Sequence, residues 1–183
     1  MHNLVFIYRY FIYRLKSTNE HGVHSPFVFD LVTNVIYNDK DYYTYKPIEN
    51  LREKLVHPNN RAVRELAKEL LPAKYDQLLF RLVNHFQPST VLIIGTSLGM
   101  EAIYAASANS KIKVVVSIES QVGKDILQKN IKQLNLKNIE LEKGNTGSIS
   151  NDYLKYYKTM GLLYVDGRSK KSMLDFFYQY IEN

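Results

Sequence analysis

The stretch from Thr90 to Ala106, TVLIIGTSLGMEAIYAA, constrains the fold of this chain more than any other. Val91–Ile94 are four consecutive aliphatic residues, a pattern typical of a strand that is buried on both faces of a parallel sheet. The turn Gly95–Gly99 interrupts this run, and a helix is predicted from Met100 to Ala106. A strand, a glycine-containing turn and a helix in succession present backbone N–H groups and the positive end of a helix to a ligand. The stretch therefore predicts a ligand site at its turn.

From residue 90 onward the sequence alternates between strand-like and helix-like segments. Runs of β-branched residues predict strands, and apolar residues at the helical period predict the helices between them. After the first unit the predicted elements are, in order, strand Lys113–Glu119, helix Val122–Leu134, strand Ile139–Glu142, helix Ser148–Lys158, strand Leu162–Val165 and helix Lys171–Ile181. Such alternation is typical of a parallel sheet with right-handed crossovers. We therefore expect an α/β fold with a Rossmann-like parallel sheet in the strand order 3-2-1-4.

The residues before the first strand are predicted to be helical with short connections. Helices are expected at residues 1–16, from Pro26 to about Asn38, and at Ile48–Val56, Arg61–Leu71 and Tyr75–Phe86. Ser25 is the expected N-cap of the helix that begins at Pro26. The change from helices to alternating elements predicts two regions. These are an N-terminal helical cap at residues 1–87 and a sheet-containing core at residues 88–183.

The composition limits the kinds of chemistry and binding partner that we expect for this chain. The chain has no cysteine, which excludes disulfides and cysteine chemistry and fits a reducing, cytoplasmic location. Its net charge of +6 is evenly spread, since residues 1–90 and residues 91–183 each carry 12 basic and 9 acidic residues. An even excess is more typical of a solvated surface than of a nucleic-acid-binding face. The apolar segment Leu4–Tyr13 contains Arg9 and is too short to cross a bilayer, so we expect no membrane span.

Glycines and polar residues fall where the predicted strands end. They are the Gly95–Gly99 turn, Glu119, Gly144, Asn145 and Asp166. In a doubly wound sheet ligands bind beyond the carboxyl ends of the strands, so we expect these residues to line one crevice. A carboxylate at Glu119 can accept hydrogen bonds from both hydroxyls of a ribose. The pattern therefore favours a ribose-bearing ligand.

Each of these residues also has a purely structural explanation. Gly95 and Gly99 can serve only to permit tight packing, and Glu119 can be a solvated strand end. Asn145 and Asp166 are residues that turns commonly contain. Because polar groups end three successive strands, we favour a ligand site over separate structural roles.

The segments VLIIGTSLG, SIES, GNTGS and LLYVDG, in this order, resemble the class I S-adenosylmethionine-dependent methyltransferases. The resemblance is closest to the small-molecule O-methyltransferase-like branch and covers roughly residues 75–182. The segment HGVHSPFVFDL is similar to the front of a bacterial subgroup in which helices cover the site. The resemblance implies S-adenosylmethionine as the cofactor and a small molecule as the substrate.

The resemblance also implies roles for the residues at the strand ends. In the family the turn after the first strand lies against the methionyl part of the cofactor, which implies Gly95, Thr96, Ser97 and Gly99. The acid that ends the second strand holds the ribose, which implies Glu119. The turn after the third strand approaches the adenine, which implies Gly144 and Asn145. The residue that ends the fourth strand lies near the reacting methyl group, which implies Asp166 as a cofactor-binding and catalytic residue.

The chain departs from the family pattern in three places. The family often has an acid two residues before the first glycine, near the cofactor's amino group, where this chain has Ile93. Three basic residues follow Asp166 within five positions, where metal-dependent members carry an acid, an amide or a histidine, so we expect no metal site. Relative to the family pattern, we expect about 50 residues of later strands and helix to be lacking. We therefore expect a truncated fold with Leu162–Val165 as an apolar edge, through which the chain forms a homodimer.

Two features of the front half permit a role in catalysis or binding. His21 and His24 lie on a predicted loop, and an imidazole there can act as a general base, which makes His24 a second candidate catalytic residue. The structural alternative is that His24 helps to cap the following helix. Tyr42, Tyr43 and Tyr45 can stack on an aromatic substrate or an RNA base, or they can pack within the helical cap.

The leading hypothesis is a methyltransferase that uses S-adenosylmethionine and acts on a small-molecule nucleophile, most simply an oxygen. The alternative from another class is a non-catalytic or truncated methyltransferase-fold domain that acts in binding or self-association. An RNA methyltransferase and a nicotinamide-dependent oxidoreductase are weaker alternatives. The turn lacks the G-x-G-x-x-G spacing that the last of these requires.

Overall fold

The computed structural model describes residue 12, residues 25–142 and residues 161–166. The chain divides into two compact units, residues 1–40 and residues 41–183. The predicted helix at residues 1–16 lies outside the described residues, apart from Ile12. The same holds for the elements predicted at Ser148–Lys158 and Lys171–Ile181. In the part of the chain that the structure describes, no helix has the length and apolarity needed to cross a membrane.

The first unit contains a short helix and a π-helical segment. Helix α1 spans Pro26–Leu31, and the π-helical segment follows directly at Val32–Ile36. The side chain of Ser25 accepts a hydrogen bond from the Val28 N–H at 3.4 Å. The predicted N-cap at Ser25 is therefore confirmed, and Pro26 occupies the first helical position, where its missing N–H costs nothing.

Among the described residues, the second unit contains a four-stranded parallel sheet. Its strands are β1 Thr90–Ile94, β2 Lys113–Ser117, β3 Ile139–Leu141 and β4 Leu162–Val165. Their order is β3-β2-β1-β4 and every pair is parallel, which confirms the predicted order. All residues of β1 are buried, as expected for a central strand of aliphatic residues. Strand β4 is an edge among the described residues, and self-association through it stays a prediction.

In the described part of the second unit, five helices accompany this sheet. They are α2 Tyr45–Val56, α3 Arg61–Ala67, α4 Ala73–Phe86, α5 Met100–Ala108 and α6 Gln121–Gln133. Helices α2 to α4 come before the sheet in the chain but belong to the same compact unit. The predicted boundary between residues 87 and 88 stays a prediction.

Several elements begin or end at other residues than the sequence suggested. Helix α3 ends at Ala67 and not at Leu71, because the N–H groups of residues 68–70 bond three residues back and Pro72 cannot continue a helix. Helix α2 begins at Tyr45, before Pro47, since a proline in the first turn displaces no hydrogen bond. Strand β2 ends at Ser117, which leaves Glu119 in the following turn.

The core between helices and sheet contains an aromatic cluster. Tyr45 lies 5.1 Å from Phe80 and 5.7 Å from Tyr104 between ring centroids, and Tyr42 lies 4.8 Å from Phe80. Each such pair contributes about 0.5–1.5 kcal/mol beyond the area it buries. The packing role is therefore confirmed for Tyr42 and Tyr45, whereas Tyr43 is 90% exposed.

Candidate functional site

The turn between β1 and α5 depends on two glycines. Gly95 and Gly99 have φ angles of 86° and 73°, a left-handed conformation that side chains rarely adopt. A Cβ atom on Gly99 would lie 2.8 Å from Leu127 in α6, and one on Gly95 would lie 3.3 Å from the Asp166 carbonyl oxygen. Both the conformation and the close neighbours therefore require glycine at these positions.

Thr96 uses its side chain to hold the turn together. Its hydroxyl donates a hydrogen bond to the Glu101 carboxylate and accepts one from the Gly99 N–H at 3.0 Å. Glu101 is 2% exposed and belongs to the first turn of α5. A carboxylate at this position also interacts favourably with the positive end of the helix dipole. Because the Thr96 hydroxyl makes both hydrogen bonds within this segment, a ligand would bind the backbone of Thr96 and not its side chain. Sequence reasoning missed Glu101, although an acid in an otherwise apolar helix was the signal.

A second set of contacts fixes the turn from outside. The Ser97 hydroxyl donates to the Leu66 carbonyl oxygen at 3.3 Å, which joins the turn to α3. On the other side, a Cβ atom on Gly123 would lie 2.2 Å from the Ser97 carbonyl oxygen. Helix α6 can approach this closely only because residue 123 is glycine. Gly123 was also missed, and an isolated glycine within a helical pattern is the signal that points to such an approach.

The turn opens onto a cavity of about 300 Å³. The cavity is lined by Leu66, Glu69, Gly95, Thr96, Ser97, Glu119 and Ser120. Four of these residues are among those predicted to bind the cofactor, and they come from the turns that follow β1 and β2. Glu119 is exposed, so its carboxylate can receive a ligand. The structure therefore brings Glu119 and the glycine turn together at the carboxyl ends of two neighbouring strands.

The remaining predicted site residues are placed differently. Asp166 is 5% exposed and lies beside Gly95, but it does not line this cavity. Gly99 lies against Leu127 of α6 and does not line the cavity either. Gly144, Asn145 and His24 lie outside the described residues, so their roles stay predictions.

A network of buried and partly buried ionisable side chains joins helices α2, α4 and α5. The Arg52 guanidinium donates to the Asp76 carboxylate and, at 2.7 Å, to the Leu71 carbonyl oxygen. Its Nε lies 3.5 Å from one carboxylate oxygen of Glu49, and the other Glu49 oxygen accepts a hydrogen bond from the Tyr104 hydroxyl. Arg52 on α2 thus holds the start of α4 and the segment before it.

The network contains more negative than positive groups. Asp76 is 2% exposed, and its burial raises its pKa to about 7, with the nearby Glu101 carboxylate adding to the rise and Arg52 opposing it. Glu49 adds a smaller repulsion. Burial and the Glu49 carboxylate likewise raise the pKa of Tyr104, which therefore stays protonated and donates its hydrogen bond. Near neutral pH, the Asp76 carboxyl group is therefore protonated in part of the folded molecules.

The stability of the wild type relative to Asp76→Asn is expected to fall as the pH is raised from about 3.8 to about 7. In this window the folded protein keeps the proton on Asp76 and the unfolded chain has released it, so raising the pH favours unfolding. Above it the carboxyl group is ionised in both states and the difference is constant. Urea unfolding of both proteins across this range measures the effect. Parallel curves for the two proteins would contradict it.

A second, larger cavity lies at the opposite end of the sheet. Its volume is about 590 Å³, and its lining comes from the start of α2, the end of α5 and the segment between α6 and β3. The last two of these segments directly precede β2 and β3, so this cavity lies at the amino ends of those strands. Ligands of doubly wound sheets bind at the carboxyl ends, and both the glycine turn and Glu119 lie there. We therefore assign the candidate site to the smaller cavity.

Across residues 25–142 and 161–166, no group of three histidine, aspartate or glutamate side chains is placed to hold a metal ion. The polar groups of the site itself are hydroxyls, backbone groups and the carboxylates of Glu69 and Glu119. This donor set suits a ligand with hydroxyl groups or positive charge.

Comparison with known proteins identifies the class of fold. No protein-family model and no curated protein matches the sequence. Among solved structures, an O-methyltransferase from Bacillus cereus in complex with SAH (S-adenosylhomocysteine) is similar with a TM-score of 0.51 and 20% identity over 75% of this chain. The SAH-bound methyltransferase PaMTH1 from Podospora anserina has a TM-score of 0.53 and 16% identity over 84% of this chain and 65% of its own.

A third similar structure is the O-methyltransferase TomG from Streptomyces achromogenes in complex with SAM. Its TM-score is 0.53, with 15% identity over 91% of this chain and 70% of TomG. At such identities the likeness shows the fold alone, which this chain shares with these methyltransferases. The chain spans only 59% of the length of the Bacillus cereus protein.

Proposed function

We propose that this chain binds S-adenosylmethionine at the Gly95–Gly99 turn and takes part in methyl transfer to a small-molecule nucleophile, with oxygen as the favoured acceptor. The observation that carries the proposal is the cavity in which the glycine turn meets Glu119. Similar solved structures that contain SAH or SAM support it. The substrate and the acceptor atom rest on the resemblance of the sequence to small-molecule O-methyltransferases.

The residues at the site fit this cofactor. The left-handed conformation of Gly95 lets a ligand approach the backbone without meeting a side chain. The Glu119 carboxylate can accept hydrogen bonds from both ribose hydroxyls. Helix α5 begins directly after the turn, so its end presents backbone N–H groups on the same side as the turn. We assign Gly95, Thr96 and Ser97 to the methionyl part and Glu119 to the ribose.

When bound, S-adenosylmethionine supplies an electrophilic methyl carbon on a sulfonium. The contribution of the chain is to position the reactants, which can account for a large share of the rate enhancement in such a step. The rigid contacts of Thr96 with Glu101 and of Ser97 with Leu66 suit this task. Asp166, beside Gly95, is the proposed acceptor of the proton from the substrate hydroxyl, with His24 as the second candidate.

Binding of S-adenosylhomocysteine to the wild type is the direct test of this proposal. Glu119→Gln is expected to weaken this binding about ten- to hundred-fold, because the neutral amide loses a charge-assisted hydrogen bond to the ribose. Glu53→Gln, an exposed acid on α2, is the matched control and is expected to bind normally. Isothermal titration calorimetry measures both. If millimolar S-adenosylhomocysteine gives no binding and NAD does, the proposal is wrong.

Two further parts of the hypothesis remain proposals. A cytoplasmic location is supported by the lack of cysteine in the sequence. A homodimer is supported by the apolar strand Leu162–Val165 at the edge of the described sheet, since exposed edges tend to pair.

A further inference from the structure

We propose that Glu69 is a cofactor-specificity residue whose carboxylate binds the α-ammonium group of the methionyl part. The inference rests on the proposed function and concerns the same cavity. It assigns a task to a residue of the helical front half for which the sequence pattern indicates no role.

The early end of α3 places Glu69 at the cavity. The Glu69 N–H donates to the Leu66 carbonyl oxygen at 3.1 Å, which turns the chain after Ala67. The same carbonyl oxygen accepts the hydrogen bond from the Ser97 hydroxyl at 3.3 Å. One backbone oxygen thus joins the turn that carries Glu69 to the glycine turn. Glu69 therefore lies in the same cavity as Gly95, Thr96 and Ser97.

The described residues that line the cavity include negative side chains and no positive one. Of the seven described lining residues, Glu69 and Glu119 are charged, and the other five are apolar or uncharged. The two acids come from different elements, since Glu119 follows β2 and Glu69 follows α3. Such a lining attracts a ligand with a positive group and disfavours one with a diphosphate, such as a nicotinamide dinucleotide.

The two acids match two different groups of the ligand, the ribose and the α-ammonium group. The methionyl part has an α-ammonium group that needs a carboxylate or a carbonyl partner. Ile93 is 0% exposed and apolar, so the end of β1 offers no side chain for this purpose. Glu119 is assigned to the ribose and Asp166 does not line the cavity, which leaves Glu69 as the lining carboxylate beside the methionyl-binding turn. Glu69 thereby supplies a charge that β1 lacks.

The test compares two ligands that differ only in the amino-acid part. S-Adenosylhomocysteine has the α-ammonium and carboxylate groups, whereas 5′-methylthioadenosine keeps the nucleoside and the thioether and lacks both. Glu69→Gln is expected to weaken S-adenosylhomocysteine about ten-fold and to change 5′-methylthioadenosine less than about two-fold. Glu119→Gln is expected to weaken both ligands, because both contain the ribose. Isothermal titration calorimetry on the full chain measures each affinity.

Glu65→Gln is the matched control, since Glu65 is an exposed acid in α3 that pairs with Lys68 at 2.6 Å and does not line the cavity. It is expected to leave both affinities unchanged. Equal binding of S-adenosylhomocysteine by the wild type and Glu69→Gln would overturn the inference and leave the proposed function intact. An equal loss of both ligands in Glu69→Gln would overturn it too, because the amino-acid part would not be the group recognised. If the wild type binds neither ligand, the proposed function fails as well.

Discussion

Arg52→Met is expected to destabilise the protein by about 3–5 kcal/mol at neutral pH, which is the usual cost of removing one partner from a buried ion pair. The variant removes the positive charge that faces Asp76 and lies beside Glu49, and it also removes the hydrogen bond to the Leu71 carbonyl oxygen. Methionine fills much of the same volume, so the loss reflects charge more than packing. Chemical unfolding in urea measures the change.

The sign of the pH dependence separates this explanation from a simple packing defect. At low pH Asp76 can take up a proton, so the penalty for Arg52→Met is expected to be smaller there than at neutral pH. Adding Asp76→Asn to Arg52→Met is expected to recover part of the lost stability, because no buried carboxylate then lacks its partner. Arg64→Met, at an exposed arginine of α3, is the control and is expected to cost less than about 0.5 kcal/mol. A penalty that is equal at all pH values would contradict the charge-based account.

Gly123→Ala is the second change with a large expected effect. In an ordinary helix interior, alanine is more stable than glycine by about 1 kcal/mol. Here the new Cβ atom would lie 2.2 Å from the Ser97 carbonyl oxygen and 2.9 Å from the Ile118 side chain. Because the first contact is with backbone, α6 or the glycine turn must shift, and overpacking of this kind costs about 1–3 kcal/mol or more. We expect a net loss of about 2 kcal/mol.

The same shift is expected to weaken the binding of S-adenosylhomocysteine, since it moves the Ser97 backbone at the cavity. Lys129→Ala, at an exposed position of α6, is the control and is expected to leave stability and binding nearly unchanged. Thermal unfolding with and without ligand measures both effects. Stability equal to or greater than that of the wild type would show that α6 tolerates a side chain at this position.

Much of the sheet was predictable because its signals are local. The four aliphatic residues of β1, the spacing of the glycines and the alternation of strands with helices each depend on neighbours in sequence. Right-handed crossovers then limit the strand orders, and the order 3-2-1-4 was confirmed. The predicted ends of α3 and β2 were less accurate. Competing hydrogen bonds at the ends of elements depend on the tertiary surroundings, which the sequence pattern does not contain.

The candidate site was predictable only where it follows the strands. Gly95, Thr96, Ser97 and Glu119 were selected as strand-end residues, and the structure places them around one cavity. Glu69 was not selected, because it follows a helix and its position depends on where α3 ends. Its approach to the turn runs through the Leu66 carbonyl oxygen, a backbone atom that no sequence pattern identifies.

The sequence by itself determined the parallel sheet, its strand order and the turn from Gly95 to Gly99, since these depend on local periodicity and on the rules of chain connection. Only the tertiary structure decided what surrounds that turn. Three of these features join residues more than 20 positions apart. Gly123 packs against Ser97, Glu69 shares a cavity with the glycine turn, and Arg52 pairs with Asp76. The physical reason is that close packing and the compensation of buried charge are properties of pairs brought together by folding, and a single residue does not reveal its partner.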